Sequence, residues 1–190
     1  MNTHWGSVPY DSGQRQDNHV HSIATLVKVF GFAAYSANGK TTLMEALLPL
    51  LTARGFKVSV IKHAHHAFDV DQPGKDSYRH RKAGASEVLV SSGVRWALMH
   101  ELRSEPEPKL TALLERLTPC DLVLVEGFKK QPIPKIEIHR VAAGTPLLYP
   151  EDPHIVALAT DARIASTLPT FQLEDHAGIV RFILEHLELG

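Results

Sequence analysis

Gly39, Lys40 and Thr41 carry the most specific chemistry in the chain. A glycine lets the backbone come close to an anion, a lysine reaches the β- and γ-phosphates of a nucleotide, and a threonine hydroxyl ligates magnesium. Backbone N–H groups at the start of the following helix complete such a cradle, and the helix dipole adds to the attraction. The expected amide donors are Ala37, Asn38, Gly39, Lys40, Thr41 and Thr42. The usual pattern is a glycine, four residues and then Gly-Lys-Ser/Thr, which puts Ala34 where the first glycine belongs. If that position needs a positive φ, a residue with a Cβ is disfavoured by about 1 kcal/mol or more. Alanine is the smallest such residue, so the loop is expected to work.

A magnesium site also needs a carboxylate on a neighbouring strand, and "DLVLVEGF" offers Asp121 and Glu126. Five residues of extended chain at about 3.3 Å each set them roughly 16 Å apart, at opposite edges of a sheet. Ligands of open parallel sheets sit beyond the carboxyl ends of the strands, so Glu126 alone can share a site with Lys40. Asp121 is expected at the strand start, facing solvent.

The loop "KHAHHAFDVDQPGKDS" leaves from that same edge and holds Lys62, His63, His65, His66, Asp69, Asp71, Lys75 and Asp76. Three readings stand beside one another. In the first it is a solvated loop with Asp71 or Asp76 capping the next helix. In the second it is a switch-like segment that brings Asp69 or Asp71 to magnesium and the γ-phosphate. In the third the histidines bind a transition metal.

The elements that must position these residues follow from short apolar runs alternating with stretches of helical period, an α/β pattern. "TLVKVFGFAA" reads as the first strand. Gly39 to Arg54 reads as a helix closed by Gly55 and bent at Pro49, and "KVSVIK" as the second strand. A basic helix is expected over "DSYRHRKAGA". "SEVLVSS" and "RWALMHEL" flank Gly93-Val94 as a hairpin. "EPKLTALLERL" is helical, "DLVLVEGF", "KIEIHR" and "HIVALATD" are strands, and "HAGIVRFILEHLEL" is an amphipathic helix. The predicted fold is a three-layer sandwich with a mostly parallel central sheet, of the P-loop nucleotide-binding type, plus a β-hairpin extension. It spans 24–190, preceded by a polar arm over 1–23 whose His4, His19 and His21 lack metal-ligand spacing.

The chain's 190 residues, 44% hydrophobic, suffice for one such domain and leave little for a second. A formal charge of −1 argues against a nucleic-acid partner. No apolar run long enough for a membrane span is expected. The single cysteine, Cys120, suits a reducing compartment, most simply the cytoplasm, and reads as a small core-facing residue.

"AYSANGKTTL", "IKHAHHAFDVDQPGKDSYRHRKAGA", "RWALMHE" and "DLVLVEGFKKQPIPKIEIHR" together resemble the MobB family, the molybdopterin-guanine dinucleotide biosynthesis proteins B, from about Thr25 to the C-terminus. The resemblance implies a GTP-binding P-loop homodimer with at most weak GTPase activity, which assists attachment of GMP to molybdopterin. Its partner would be a molybdenum cofactor guanylyltransferase of the MobA type, with molybdopterin itself a candidate ligand. It further implies that Lys40 and Thr41 hold phosphate and Mg2+. Asp69, Asp71 and Glu126 would lie around the nucleotide, with Lys40, Glu126 and Asp69 the groups for any hydrolysis and Thr41, Glu126 and Asp69 those for the metal. Ala37-Asn38 departs mildly from the family's small-residue pair. Two other functions use the same loop: a small-molecule kinase, and a metal-insertion GTPase working through His63, His65 and His66.

Base choice and turnover are read from what is missing. No Asn-Lys-x-Asp guanine box occurs, and Asp161 at the end of "ALATD" is either a substitute accepting from guanine N1–H and N2–H or a helix cap. No glutamine adjoins Glu126-Gly127 to orient water, so hydrolysis is expected to be slow. Arg79, Arg81 and Arg140 read as solvated or anion-steering groups, with action across a dimer as the alternative. Trp96 and Met99 make the hairpin too apolar for a free ribbon; a second subunit would cover it, or it forms an ordinary edge of the main sheet.

Overall fold

A computed structural model describes residues 27–64 and 67–190. The expected arm, with its three histidines, and His65 and His66 lie outside the described residues.

Strand β1 (Lys28–Ala33) feeds the Gly39–Thr41 loop and helix α1 (Lys40–Thr52). Then come β2 (Val58–Lys62), helix α2 (Asp76–Lys82), the pair β3 (Glu87–Ser91) and β4 (Trp96–His100), and a short helix α3 (Leu110–Leu114). Strands β5 (Leu122–Glu126) and β6 (Lys135–His139), a 3-10 turn (Val141–Ala143), β7 (Ile155–Thr160), β8 (Thr170–Phe171) and helix α4 (His176–His186) complete the described chain.

Six strands form one parallel sheet in the order β2-β5-β1-β6-β7-β8. Side chains alternate across it, as a pleated strand requires. On β5, Leu122 and Leu124 join Phe30, Phe32, Leu47, Ile136 and Ile183 in a core under α1 and α4, whereas Val123 and Val125 face Ile61 and Leu110 on the α3 side. Helix, sheet and helix are thus the expected three layers, with β3 and β4 as a separate antiparallel hairpin. Ser91 pairs with Trp96, and Ser92 N–H donates to Arg95 O across Gly93-Val94. Cys120 is half-buried against the α3-side core, in keeping with its reading as a packing residue.

Three helices differ from the sequence reading. Helix α1 runs through Pro49, as read, but ends at Thr52 rather than Arg54. Helix α2 ends at Lys82 rather than Ala85, because Gly84 turns the chain away with φ 119°. Helix α3 keeps only Leu110–Leu114: Glu107 precedes Pro108, which disfavours helical backbone there, and Lys109 is still extended, with ψ 156°. The two-residue strand β8 has too short an apolar run to be seen in sequence.

Candidate functional site

Register decides which side chains meet. Phe32 of β1 and Lys62 of β2 both pair with Glu126 of β5, so the ends of three adjacent strands present their side chains and loops at one edge. Asp121 lies at the opposite edge, exposed, with its carboxylate accepting from Lys57 N–H at 2.7 Å, as expected of a strand-start residue.

Ala34 is buried and belongs to the main core, and the positive φ falls elsewhere: on Ala37 (66°) and Gly39 (86°). The concern over Ala34 therefore resolves by position, since its methyl group packs inward while the left-handed turns lie three and five residues later. Gly39 is the N-cap of α1, and a Cβ added there would come 3.2 Å from Arg140 Nε. Arg140 thus lies against the glycine at the helix start.

Asn38 does more than lend an amide. Its buried side chain accepts from Arg140 N–H at 2.7 Å through Oδ1 and donates from Nδ2 to Thr145 Oγ1 at 3.3 Å, which ties the loop to the chain after β6. The Lys40 ammonium donates to the carbonyls of Ala34 (3.0 Å) and Tyr35 (3.1 Å). Burial, and then the Lys129 and Lys62 ammonium groups, lower the Lys40 pKa, with the Glu126 charge opposing them. Burial and neighbouring cations both disfavour the ammonium, and an anion bound beside it would relieve both.

Thr41 Oγ1 donates to Glu126 Oε1 at 3.3 Å, while Lys62 Nζ lies 3.4 Å from Glu126 Oε2. Hydroxyl and carboxylate oxygens are the donors a hard divalent ion takes, and magnesium characteristically uses one or two protein oxygens together with phosphate and water. The pair fits such an ion. Among the described residues no group of three histidine, cysteine, aspartate or glutamate side chains is arranged to hold a metal by itself.

In the described part of the Lys62–Asp76 segment, the two aspartates are organised around an arginine, while the reading as a histidine metal site involves His65 and His66, which lie outside the described residues. Arg81 of α2 donates through Nη2 to Asp69 Oδ1 (2.5 Å) and Asp71 Oδ1 (2.7 Å), through Nε to Asp71 Oδ2 (3.2 Å), and through Nη1 to Glu101 (3.1 Å). Hydrogen bonding from Arg81 holds the Asp71 carboxyl below its ordinary range. Both aspartates thus engage α2 and the end of the hairpin, not Thr41 or Glu126. His63 pairs with Glu107 at 2.6 Å and lies tilted against Phe128, with ring centroids 4.8 Å apart. Asp161 Oδ1 accepts from Val141 N–H at 2.9 Å, capping the 3-10 turn.

Sequence reasoning overlooked Lys129 and Lys135. Lys129 Nζ sits 4.8 Å from the Tyr35 ring centroid, beside the loop. Lys135, fully buried on β6, donates to Lys129 O (2.9 Å) and Gln131 O (2.8 Å) and pairs with Asp152 at 2.8 Å. Burial pushes the Asp152 carboxyl up, but the Lys135 ammonium and His154 N–H outweigh it and the net shift is downward. The available signal was a lysine opening an otherwise apolar buried strand, which demands partners.

Comparison with known proteins agrees with this architecture. The sequence model of the family described as molybdopterin guanine dinucleotide synthesis protein B matches residues 29–161. A molybdopterin-guanine dinucleotide biosynthesis adapter protein of Escherichia coli is 43% identical over 167 residues, covering 86% of this chain and 95% of its own. Its namesake from Haemophilus influenzae is 48% identical over 139 residues, covering 71% and 75%. A crystal structure of molybdopterin-guanine biosynthesis protein B superimposes with a TM-score of 0.65 at 26% identity, over 84% of this chain and 99% of that one. The Bacillus subtilis MobB structure gives 0.64 at 25% identity, over 84% and 98%. Matched along most of its length in sequence and in fold, this chain belongs to the MobB family.

Proposed function

We propose that the chain is a GTP-binding adapter in molybdenum cofactor biosynthesis, which assists a guanylyltransferase in attaching GMP to molybdopterin. The adapter role follows that of the relatives, which are named as molybdopterin-guanine dinucleotide biosynthesis adapter proteins. Nucleotide binding rests on one observation: Lys40 stands next to the Thr41–Glu126 oxygen pair at the start of α1, its pKa lowered by burial first and then by Lys129 and Lys62. A triphosphate supplies the negative charge this edge lacks, and bound magnesium would neutralise part of the phosphate charge. Thr41 and Glu126 are the residues to hold it. Asp69 gives Oδ1 to Arg81, so it contributes to the metal only if its segment also reaches Thr41 and Glu126. Asp69→Asn therefore separates the two readings: Mg2+-dependent GTP affinity falls if Asp69 is a ligand and is unchanged if it serves Arg81 alone.

Calorimetry tests the whole reading. GTP with Mg2+ should bind, and Lys40→Ala should abolish the heat. The absence of heat from any purine triphosphate at millimolar concentration would remove the proposal. Retention of the guanylyltransferase on the immobilised chain tests the adapter role. The chain also acts as a homodimer in this reading, with the hairpin as its contact face.

A further inference from the structure

A carboxylate and a guanidinium, neither paired with any described residue, line one cavity at the start of α1. The cavity measures about 210 Å³ and is walled by Thr42, Leu43 and Ala46 of α1, by Arg140, and by Leu173 and Glu174 of the β8–α4 connection. Pockets for drug-sized ligands begin near roughly 300 Å³, so this space suits one ring system and not a whole nucleotide. Leu43 and Leu173 are buried core residues and give it firm apolar walls. Gly39 borders it as well, so the amides that would gather phosphates open directly onto it.

We propose that this cavity receives the base of the nucleotide whose phosphates lie on the Gly39–Thr41 loop, and that Glu174 selects guanine. The inference rests on the phosphate-binding reading above. Guanine presents two donors, N1–H and N2–H, on one edge, and an ionised carboxylate is an acceptor with two oxygens. Adenine has an acceptor at N1 and no amine at C2, so it cannot make that pair of bonds. Two-point acceptance needs a carboxylate that walls the cavity, which Glu174 does and Asp161 does not. Asp161, the other candidate, has Oδ1 engaged by Val141 N–H. The Glu174 carboxylate has no such engagement among the described residues. Arg140 lies over Gly39, on the phosphate side of the cavity, where its charge favours the polyanion.

The test uses the full chain with Mg2+ and five probes in calorimetry: GTP, ITP, XTP, ATP and inorganic tripolyphosphate. Tripolyphosphate has no base and reports the loop alone. The wild-type chain should prefer GTP to ITP and ATP by about tenfold or more, the discrimination of a bidentate pair. Glu174→Ala should erase most of that preference while still binding tripolyphosphate. Glu174→Gln offers one acceptor and one donor, which match the N1–H and O2 of xanthine, so its XTP-to-GTP ratio should rise about tenfold. Unaltered ratios in both variants, or a loss of discrimination in Asp161→Asn instead, would overturn the assignment to Glu174 and leave the loop's role standing. Failure of the wild-type chain to bind tripolyphosphate and every nucleotide would overturn both.

Discussion

The Lys40 ammonium is shared between the Ala34 and Tyr35 carbonyls and must exchange them for phosphate oxygens when a ligand arrives. Burial and the Lys129 charge hold its pKa below the ordinary 10.5, whereas a polyphosphate raises it. The sign follows: above the pKa of the free site, binding must take up a proton. GTP affinity should therefore fall as pH rises toward 10.5, with proton uptake visible when calorimetry is repeated in buffers of different ionisation enthalpy. At Gly39 two demands coincide, a φ of 86° and the Arg140 side chain 3.2 Å from where a Cβ would stand. Gly39→Ala should lower stability by about 1–2 kcal/mol, read as a shift in the denaturant midpoint, and should weaken nucleotide binding with it.

Lys135 crosses β1 at Gly31, where an added Cβ would stand 2.5 Å from Lys135 Cγ, and its ammonium fixes the carbonyls of Lys129 and Gln131. One glycine on the central strand thus makes room for a buried lysine that shapes the loop after β5. Gly31→Ala should cost about 1–3 kcal/mol by overpacking, measured by urea unfolding. It should also weaken GTP binding, because the displaced Lys135 no longer holds Lys129 beside Tyr35. The hairpin carries a pH dependence of its own. Hydrogen bonds from His100 to Glu87 and Glu105 raise the His100 pKa. A raised folded pKa stabilises fully below the unfolded value near 6.5 and is lost as pH climbs through the folded one. Amide exchange in β3 and β4 should accordingly quicken above neutral pH, beyond the intrinsic base-catalysed increase seen elsewhere in the protein.

At the scale of the molecule, the hairpin stands outside the six-stranded sheet, with Leu89 62% and Trp96 64% exposed. Two such side chains on one ribbon call for cover, which the proposed second copy would give. Trp96→Glu with Leu89→Glu should convert a dimer to a monomer by light scattering. An unchanged dimer would place the contact elsewhere. Hydrolysis should be slow, on the order of 10⁻⁴ to 10⁻² s⁻¹ as in unassisted GTPases, and a rate above about 1 s⁻¹ for the isolated chain would contradict this. Among the described residues no helix is long and apolar enough to cross a membrane. Strand, Gly-Lys-Thr loop, helix and the acid at the end of a buried strand were legible in sequence because period, punctuation and reach are local properties. So was the choice of Glu126 over Asp121, which needs only the length of an extended chain. Which charges meet depended on packing: Asp69 and Asp71 lie on Arg81, Asp161 caps Val141, and Lys135 passes over Gly31, all across intervening chain. A sequence states how far apart two residues can be, but only strand order and register determine which of the many residues within reach share a contact.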